Sequence, residues 1–424
     1  MLDQSTSQQS SLPKKLIVRF LFLYLILYIY PYGFEYIYAL DTNDISFWEG
    51  ITIWFGETVL DWEFSENLWK GFDSKYDFSR FLLIAVLSII GSIVWIIVDR
   101  FLNKSYEDKL IALATTITRY HVAFTLILYG MVKVFPLQFG EVSVSMLTST
   151  FGEQTPMRLL WKFMSASPVY TATTGWVEVT GGLLLLFRRT TFLGATICFV
   201  AMTNVVLIDI GYDVTVKMFA IHLFLMVLIL LVPHLKRIVS FFLLQQPDAP
   251  VQFRPLFSGE KWVTLTGRIA KGILLVLFVI TTWEEISGRI DMQMDTSTHF
   301  IRGYYEVEEF NIIGDSTASS VDDARNWKAL SISELSYRPN LLRIITMDDE
   351  SKFYQFEADS VEGRLKIQDI YGDSSEFDMR YEELENGKMK FSGIQLGDTL
   401  EVTTGVKKVG DFELTSSGIK WIRD

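Results

Sequence analysis

Seven runs of predominantly apolar residues, each about as long as a bilayer core is thick, occupy residues 16–38, 81–98, 111–135, 169–187, 191–210, 216–232 and 267–283. Runs of this length leave their backbone polar groups one solution in hydrocarbon, the α-helix, so they predict transmembrane spans. With 50% of its 424 residues hydrophobic, the chain is too apolar for an ordinary soluble enzyme and too charged to lie in a membrane throughout. Arg19 and the sequence Pro31-Tyr32-Gly33 in the first run predict a bent or interfacial outer end. No cleavable signal peptide is expected: residues 5–15 are polar, and the first run is long and lacks a small-residue cleavage site.

Basic residues in the short loops set the expected orientation. Lys14 and Lys15 precede the first span, Arg100 and Lys104 follow the second, Arg188 and Arg189 the fourth, and Lys236 and Arg237 the sixth. Arg254, Lys261, Arg268 and Lys271 precede the seventh. The positive-inside rule then predicts a multi-pass protein of the bacterial inner membrane with a cytoplasmic N-terminus and a periplasmic C-terminal region. Acid-rich residues 41–72 and the loop through Glu141 and Glu153 fall outside, as do Lys70, Lys75, Arg158 and Lys162.

Residues 1–103 form a lead-in pair of spans, and 106–244 form four spans expected to pack as a bundle. A proline-bearing linker and the seventh span cover 245–290. In the lead-in, residues 47–64 interleave Phe47, Trp48, Trp54, Phe55 and Trp62 with acids, predicting a helix on the membrane surface or capping the bundle. From 291 to 424 the pattern turns to period two, with segments at 341–347, 352–359, 364–370, 377–384, 389–396, 400–408 and 412–422. About eight or nine strands with tight turns such as Asn386-Gly387 predict an all-β antiparallel barrel or sandwich. This tail carries 27 acidic against 15 basic residues, the whole of the net charge of −12. An acidic surface without a basic patch argues against nucleic acid. It holds no Ser-His-Asp set, phosphate loop or calcium-loop spacing, and His299 is its one histidine. A binding or spacer module is expected.

The four-span region holds the chain's most costly residues. Glu178 lies in an apolar run beside Gly181 and Gly182, where a carboxylate costs about 2.5 kcal/mol or more unless it finds a partner or water. Counted at about 1.5 Å per residue from the inner ends of their runs, Arg119 lies roughly 12 Å deep and Glu178 roughly 13 Å. An Arg119–Glu178 ion pair is therefore expected, with His121, Asn204 and His222 near the same level. Lys133, Asp209, Asp213 and Lys217 form a second set toward the outer face. Ala123, Leu126 and Gly130 share a helical stripe with Arg119 and Lys133, which predicts a cavity wall. Polar residues also glue membrane helices together; for Asn204 a structural hydrogen bond is the plainer expectation. Asp209, Asp213 and Lys217 are expected to bracket a short loop, and Arg19 and Arg80 to snorkel. No metal-ligand spacing accompanies His121 or His222, and Cys198, the one cysteine, is expected to pack in the core.

The sequence Arg119-YHVAFTLILYGMV-Lys133, followed by Glu178-VTGGLLLL-Phe187 and Leu193-Gly194-Ala195, resembles the DoxX-like superfamily of bacterial four-helix membrane proteins. The likeness covers about residues 111–232. The added spans and β tail look like an arrangement common in such proteins of the Bacteroidetes. Some relatives are linked to respiratory thiosulfate–quinone oxidation and others to maturation of redox enzymes; many have no assigned activity. What the resemblance implies about ligands is limited; a quinone site is physically compatible with it, since Arg119, Lys133 or a histidine could hydrogen-bond a quinone carbonyl and Tyr120 and Tyr129 could flank the ring. A single cysteine speaks against direct thiol–disulfide chemistry. Three readings stay open. The protein binds a lipophilic or small polar ligand at Arg119, His121, Lys133, Glu178, Asn204 and His222 within a redox or envelope assembly; it transports a small solute or proton through the same charges; or it is a scaffold presenting the acidic β domain to a partner.

Overall fold

The computed structural model describes residues 11–29, 46–65, 73–102, 107–246, 261–295, 301–313, 326–333, 340–370, 376–385, 387–395 and 398–416. Its contacts divide the chain into two units: residues up to Phe135 with Val169–Ile286, and Pro136–Pro168 with Ser287 onward.

The first unit is helical. It contains α1 (Leu12–Ile29), α2 (Ser46–Val59), α3 (Lys75–Leu102) and α4 (Glu107–Val134), and, after α5 (Val144–Thr148) and α6 (Pro156–Ala166) of the second unit, α7 (Pro168–Leu185). Then follow α8 (Thr191–Gly211), α9 (Lys217–Leu231), α10 (Leu235–Phe242) and α11 (Lys261–Asp295). Five helices are long and apolar enough to cross a membrane, covering Lys75–Asp99, Glu107–Val134, Thr191–Gly211, Lys217–Phe242 and Leu265–Asp291. The other two predicted spans, α1 and α7, are helices of 18 residues each. α1 is apolar but carries three charges, Lys14, Lys15 and Arg19, and α7 is diluted by threonine and glycine. Residues 30–45, which include the predicted bend at Pro31, and most of the linker before α11 lie outside the described residues.

Glycines decide how the central helices meet. A Cβ on Gly130 of α4 would stand 2.6 Å from the Gly175 carbonyl oxygen of α7, and one on Gly175 would stand 2.5 Å from that of Gly130. Gly182 touches α4 in the same way, at 2.7 Å from the Ala123 carbonyl. Its neighbour Gly181 faces the other side, where a Cβ would meet Cys198 Sγ of α8 at 2.7 Å. The paired glycines thus let α7 lie between α4 and α8 at backbone contact, as small residues do in membrane bundles. α8 packs on α9 and α9 on α4, which closes a four-helix ring around Val122, Ala123, Leu126, Met202 and Met226. α1 packs against α3 and α4. On α2, Trp48 and Phe55 pack on Leu83 and Ile84 of α3. α11 reaches the core through Phe278, whose ring stacks on Phe124 at 4.3 Å.

The second unit is a closed barrel of eight antiparallel strands, each hydrogen-bonded to the next and the last to the first. These are β1 (Gly303–Ile313), β2 (Trp327–Ile332), β3 (Leu341–Thr346), β4 (Ser351–Asp359), β5 (Arg364–Asp369), β6 (Glu376–Glu383), β7 (Met389–Gln395) and β8 (Asp398–Lys407). Strands β4 to β6 alternate as predicted, with Tyr354, Phe356, Leu365, Ile367, Phe377 and Met379 inward. β1 closes the barrel, pairing with β8 from Tyr304↔Lys407 to Ile313↔Thr399 past a bulge at Val307/Glu309. A ring of side chains this large fills the interior of an eight-stranded barrel. Of the strand predicted at 412–422, the described part, 412–416, is not extended: a 3₁₀ turn, Val409–Asp411, and a short helix α12 (Glu413–Ser416) stand there, and 417–422 lie outside the described residues. Closure explains it, since β8 already pairs with β1 and leaves no free edge.

β2 and β3 break the alternation and are buried on nearly every residue. The reason lies in the loop between α4 and α7. Its Val144 packs with Tyr304, Ala329 and Ile345 on the barrel's outer surface, and Ser145 Oγ accepts from Arg343 Nη1 at 3.0 Å. The predicted outer loop is therefore a piece of the barrel unit.

Two predictions follow from this packing. Gly175→Ala places a methyl against the Gly130 carbonyl and is expected to cost about 1–3 kcal/mol, read as a lower melting temperature in detergent than Gly152→Ala, where nothing lies within 4 Å. In the barrel, Tyr305 donates to the Ile301 carbonyl at 2.8 Å. Burial, with Glu383 nearby, pushes its phenol up to about 12. The fold prefers the neutral phenol, so this stabilisation is complete below the unfolded value of about 10 and is lost as pH rises toward 12. About 2–3 kcal/mol should disappear over that interval, and Tyr305→Phe should flatten the fall in a pH series of melting curves.

Candidate functional site

The glycine contacts fix the α4–α7 register, and that register overturns the expected pairing. Gly130 lies beside Gly175 and Ala123 beside Gly182, so Arg119 comes level with the end of α7 and not with Glu178. Its guanidinium donates to the Leu185 carbonyl at 2.9 Å and lies 4.7 Å from the Tyr120 ring centre. Lys271 of α11 donates to the next carbonyl, Leu186, at 2.9 Å. These are among the carbonyls a helix leaves unbonded at its C-terminus, where cations are favoured. Arg119 is thus a helix cap. Counting depth from the ends of the apolar runs failed because α4, at 28 residues, overhangs the 18-residue α7.

Glu178 instead pairs with Lys133, whose side chain reaches back along α4. Both are nearly buried, with 4% and 10% of their side chains exposed. Glu178 Oε1 takes the Lys133 ammonium, while Oε2 is buried without a hydrogen-bond partner among the described residues. Asp209 of α8, expected as an interfacial charge, is buried as well and stands within electrostatic reach of Lys133, Asp73, Lys217 and Glu178. The Lys133 ammonium thus bonds one carboxylate, with that of Asp209 buried nearby but outside ion-pair distance. Farther out, Lys217 does bracket its loop with Asp213, at 2.8 Å. Asp73, from just before α3, accepts the backbone N–H groups of Lys217 and Met218 at 2.8 and 3.0 Å, capping α9 as an N-cap carboxylate does.

The remaining predicted site residues do not join this group. His222 has both ring nitrogens engaged: Nδ1 donates to the Met218 carbonyl at 2.6 Å and Nε2 accepts from the Tyr24 hydroxyl at 2.7 Å. A carbonyl only accepts, which assigns the proton to Nδ1. Tyr28 stacks on the ring at 4.3 Å and Phe81 packs against it at 4.8 Å. That is a packed histidine with both nitrogens in use. His121 is buried, and its Nε2 has no partner among the described residues. Asn204 is exposed on the outer face of α8, away from any polar layer. Tyr120 lies under Arg119, so it cannot wall a ligand beside Lys133.

Two arginines expected to snorkel are buried. Arg80 donates to the Tyr28 carbonyl at 3.2 Å. Arg19 is fully enclosed, pairs with Asp99 and, at 2.9 Å, with Glu107, and lies 5.3 Å from the Trp95 ring centre. Arg19, Asp99 and Glu107 tie α1, α3 and α4 together. The signal available in the sequence was balance: these two acids lie within eight residues of each other at the ends of two spans. No group of three or more metal-ligating side chains occurs among the described residues.

The fold and this group define a helical protein with paired charges inside its bundle, joined to a closed β-barrel. The chain belongs to the family of YwoB, an uncharacterised protein of Bacillus subtilis (strain 168), being 36% identical to it over 113 residues, 27% of this chain and 71% of that one. No family model and no solved structure matches the chain.

If Lys133 and Glu178 balance each other, losing one should hurt more than losing both. Lys133→Met leaves a buried carboxylate uncompensated and is expected to cost about 3–5 kcal/mol. Lys133→Met with Glu178→Gln should recover most of that loss in detergent melting curves. A double variant no more stable than Lys133→Met would show that the pair is not the source of the effect.

Proposed function

We propose that the helical unit is a DoxX-like bundle of the bacterial inner membrane, and that it binds a small hydrogen-bond-donating ligand, or a proton, at Lys133, Glu178 and Asp209. The buried, unpartnered Oε2 of Glu178 carries this reading. A carboxylate oxygen removed from water costs free energy unless something donates to it, and Asp209 adds a second buried carboxylate nearby. The partner that suits this group is a donor: a quinol hydroxyl rather than a quinone carbonyl, a hydroxyl-bearing solute, or a proton shared between the two acids. Intramembrane ionisable residues are kept chiefly for such work.

Membrane placement is supported by the five helices of spanning length and by exposed apolar faces such as Ile89, Ile93 and Ile97 on α3. Orientation has its own support. The loop joining α4 to α7 and the barrel that follows α11 belong to one compact unit, so both lie on one side, as the basic residues of the other loops require. The YwoB match agrees in scale: if 113 residues are 71% of that protein, it is about 160 residues long, the size of a bundle and too short for bundle and barrel together.

A second reading, that the bundle anchors the barrel for a periplasmic partner, draws on the same loop, since α5 is built into the barrel surface. Native mass spectrometry of the detergent-purified chain separates the two. Ligand binding predicts a retained small molecule that Glu178→Gln releases at least tenfold, or a proton flux in liposomes that the same change abolishes. An anchor predicts no bound molecule, no flux and a silent Glu178→Gln, while deletion from residue 291 onward removes function.

A further inference from the structure

α8 turns one uncommitted amide out of the bundle. Its outward stripe follows alternating intervals of four and three: Leu193, Ile197, Val200, Asn204, Leu207 and Gly211. Ile197 is half-buried and the others are exposed, Val200 and Leu207 at 64% each. A Cβ on Gly211 would meet nothing within 4 Å. The threonines beside the stripe are satisfied within the helix, Thr196 donating to the Phe192 carbonyl at 2.9 Å and Thr203 to that of Phe199 at 2.7 Å. Asn204 makes no hydrogen bond among the described residues. An amide carries two donor hydrogens and an acceptor oxygen, and in hydrocarbon each unmet group costs free energy. By contrast, the stripe of Leu265, Ile269, Val276 and Val279 on α11 is exposed and wholly apolar, and lipid suffices for it.

The spacing identifies the partner. Apolar residues at intervals of four and three form the seam of a coiled coil, and a lone asparagine in that seam fixes register and oligomer state. Ile197 and Asn204 take one of the two seam positions, and Leu193, Val200 and Leu207 take the other. A β-branched residue in the first and leucine in the second is the order that favours two parallel strands. Copies of one protein in one membrane share an orientation, so α8 of a second copy runs parallel to the first. A two-fold axis along the membrane normal then sets Asn204 opposite Asn204 at one depth, about 10 Å in from the Gly211 end of α8. There each amide donates to the other's oxygen, whereas a lipid tail offers neither group. Gly211 lets the two backbones approach at that end. We infer that the chain forms a parallel homodimer through this face of α8, held in register by the Asn204 amides. This rests on the membrane placement proposed above, but on nothing about Glu178.

The test is disulfide cross-linking of the full chain in native membranes, with cysteines placed one at a time. Val200→Cys and Leu207→Cys should form covalent dimers several times more readily than Ile210→Cys, a position 57% exposed but off the seam. Cys198 is buried against Gly181 and stays out of the reaction, as the unaltered chain will show. In detergent, read by native mass spectrometry, Asn204→Leu should weaken the dimer about three- to tenfold. Asn204→Gln, which keeps donor and acceptor, should hold it. All these side chains are exposed, so the bundle folds without them. A monomeric chain, cross-linking of Ile210→Cys equal to that of Val200→Cys and Leu207→Cys, or a dimer indifferent to Asn204→Leu would each overturn the seam. Release of the chain from membranes by alkaline carbonate would instead strike the membrane placement itself, so the two failures are told apart.

Discussion

Backbone contact between α4 and α7 is the constraint from which the rest of the helical unit follows. Gly130, Gly175 and Gly182 remove the side chains that would hold the two helices apart, and helices without side chains between them mesh in one register. That register brings Lys133 to Glu178, carries Arg119 past the end of α7, and turns Gly181 toward Cys198 on α8. A shift of one turn, about 5.4 Å, would separate the ion pair and strand both charges. Packing geometry, more than the charges, chooses who pairs.

Charge in this bundle is handled by two devices. One is closure of helix ends: Arg119 and Lys271 occupy the carbonyls at the end of α7, and Asp73 occupies the N–H groups at the start of α9. These contacts satisfy backbone groups that water would otherwise have to reach. The other is enclosure of an arginine or lysine by acids, Arg19 with Asp99 and Glu107, and Lys133 with Glu178. The two enclosures differ in a way that matters chemically. In the first, both acids bind the guanidinium directly. In the second, the atom left without a partner among the described residues is an acceptor, Glu178 Oε2, whereas the first leaves over donors, Arg19 Nε and Nη1.

The barrel shows how a second layer of structure hides inside a simple pattern. Period-two alternation holds where one face meets solvent, as in β4 to β6, and fails in β2 and β3, where Val144 and its neighbours cover the outer face. Runs such as Leu341-Leu342-Arg343-Ile344-Ile345 were the visible sign that something lies on that surface. Nothing in them says that the cover comes from a loop almost two hundred residues earlier.

What could be read from the chain alone were properties set by neighbours in sequence. Long apolar runs form helices, in which every backbone group can bond within the segment, and alternating segments with tight turns make antiparallel strands. The helical nature of the apolar runs, five of them of spanning length, and the number of strands were legible on those grounds. Glu178 and Lys133 were marked as costly, but their partnership was not, since depth counted along each run ignores how far one helix overhangs another. Asp209 looked like a loop charge and is buried; Arg19 and Arg80 looked like snorkelling residues and are enclosed; Asn204 looked like part of a polar layer and points outward. Each of these turns on which side of a helix faces protein, and only contact between distant segments decides that.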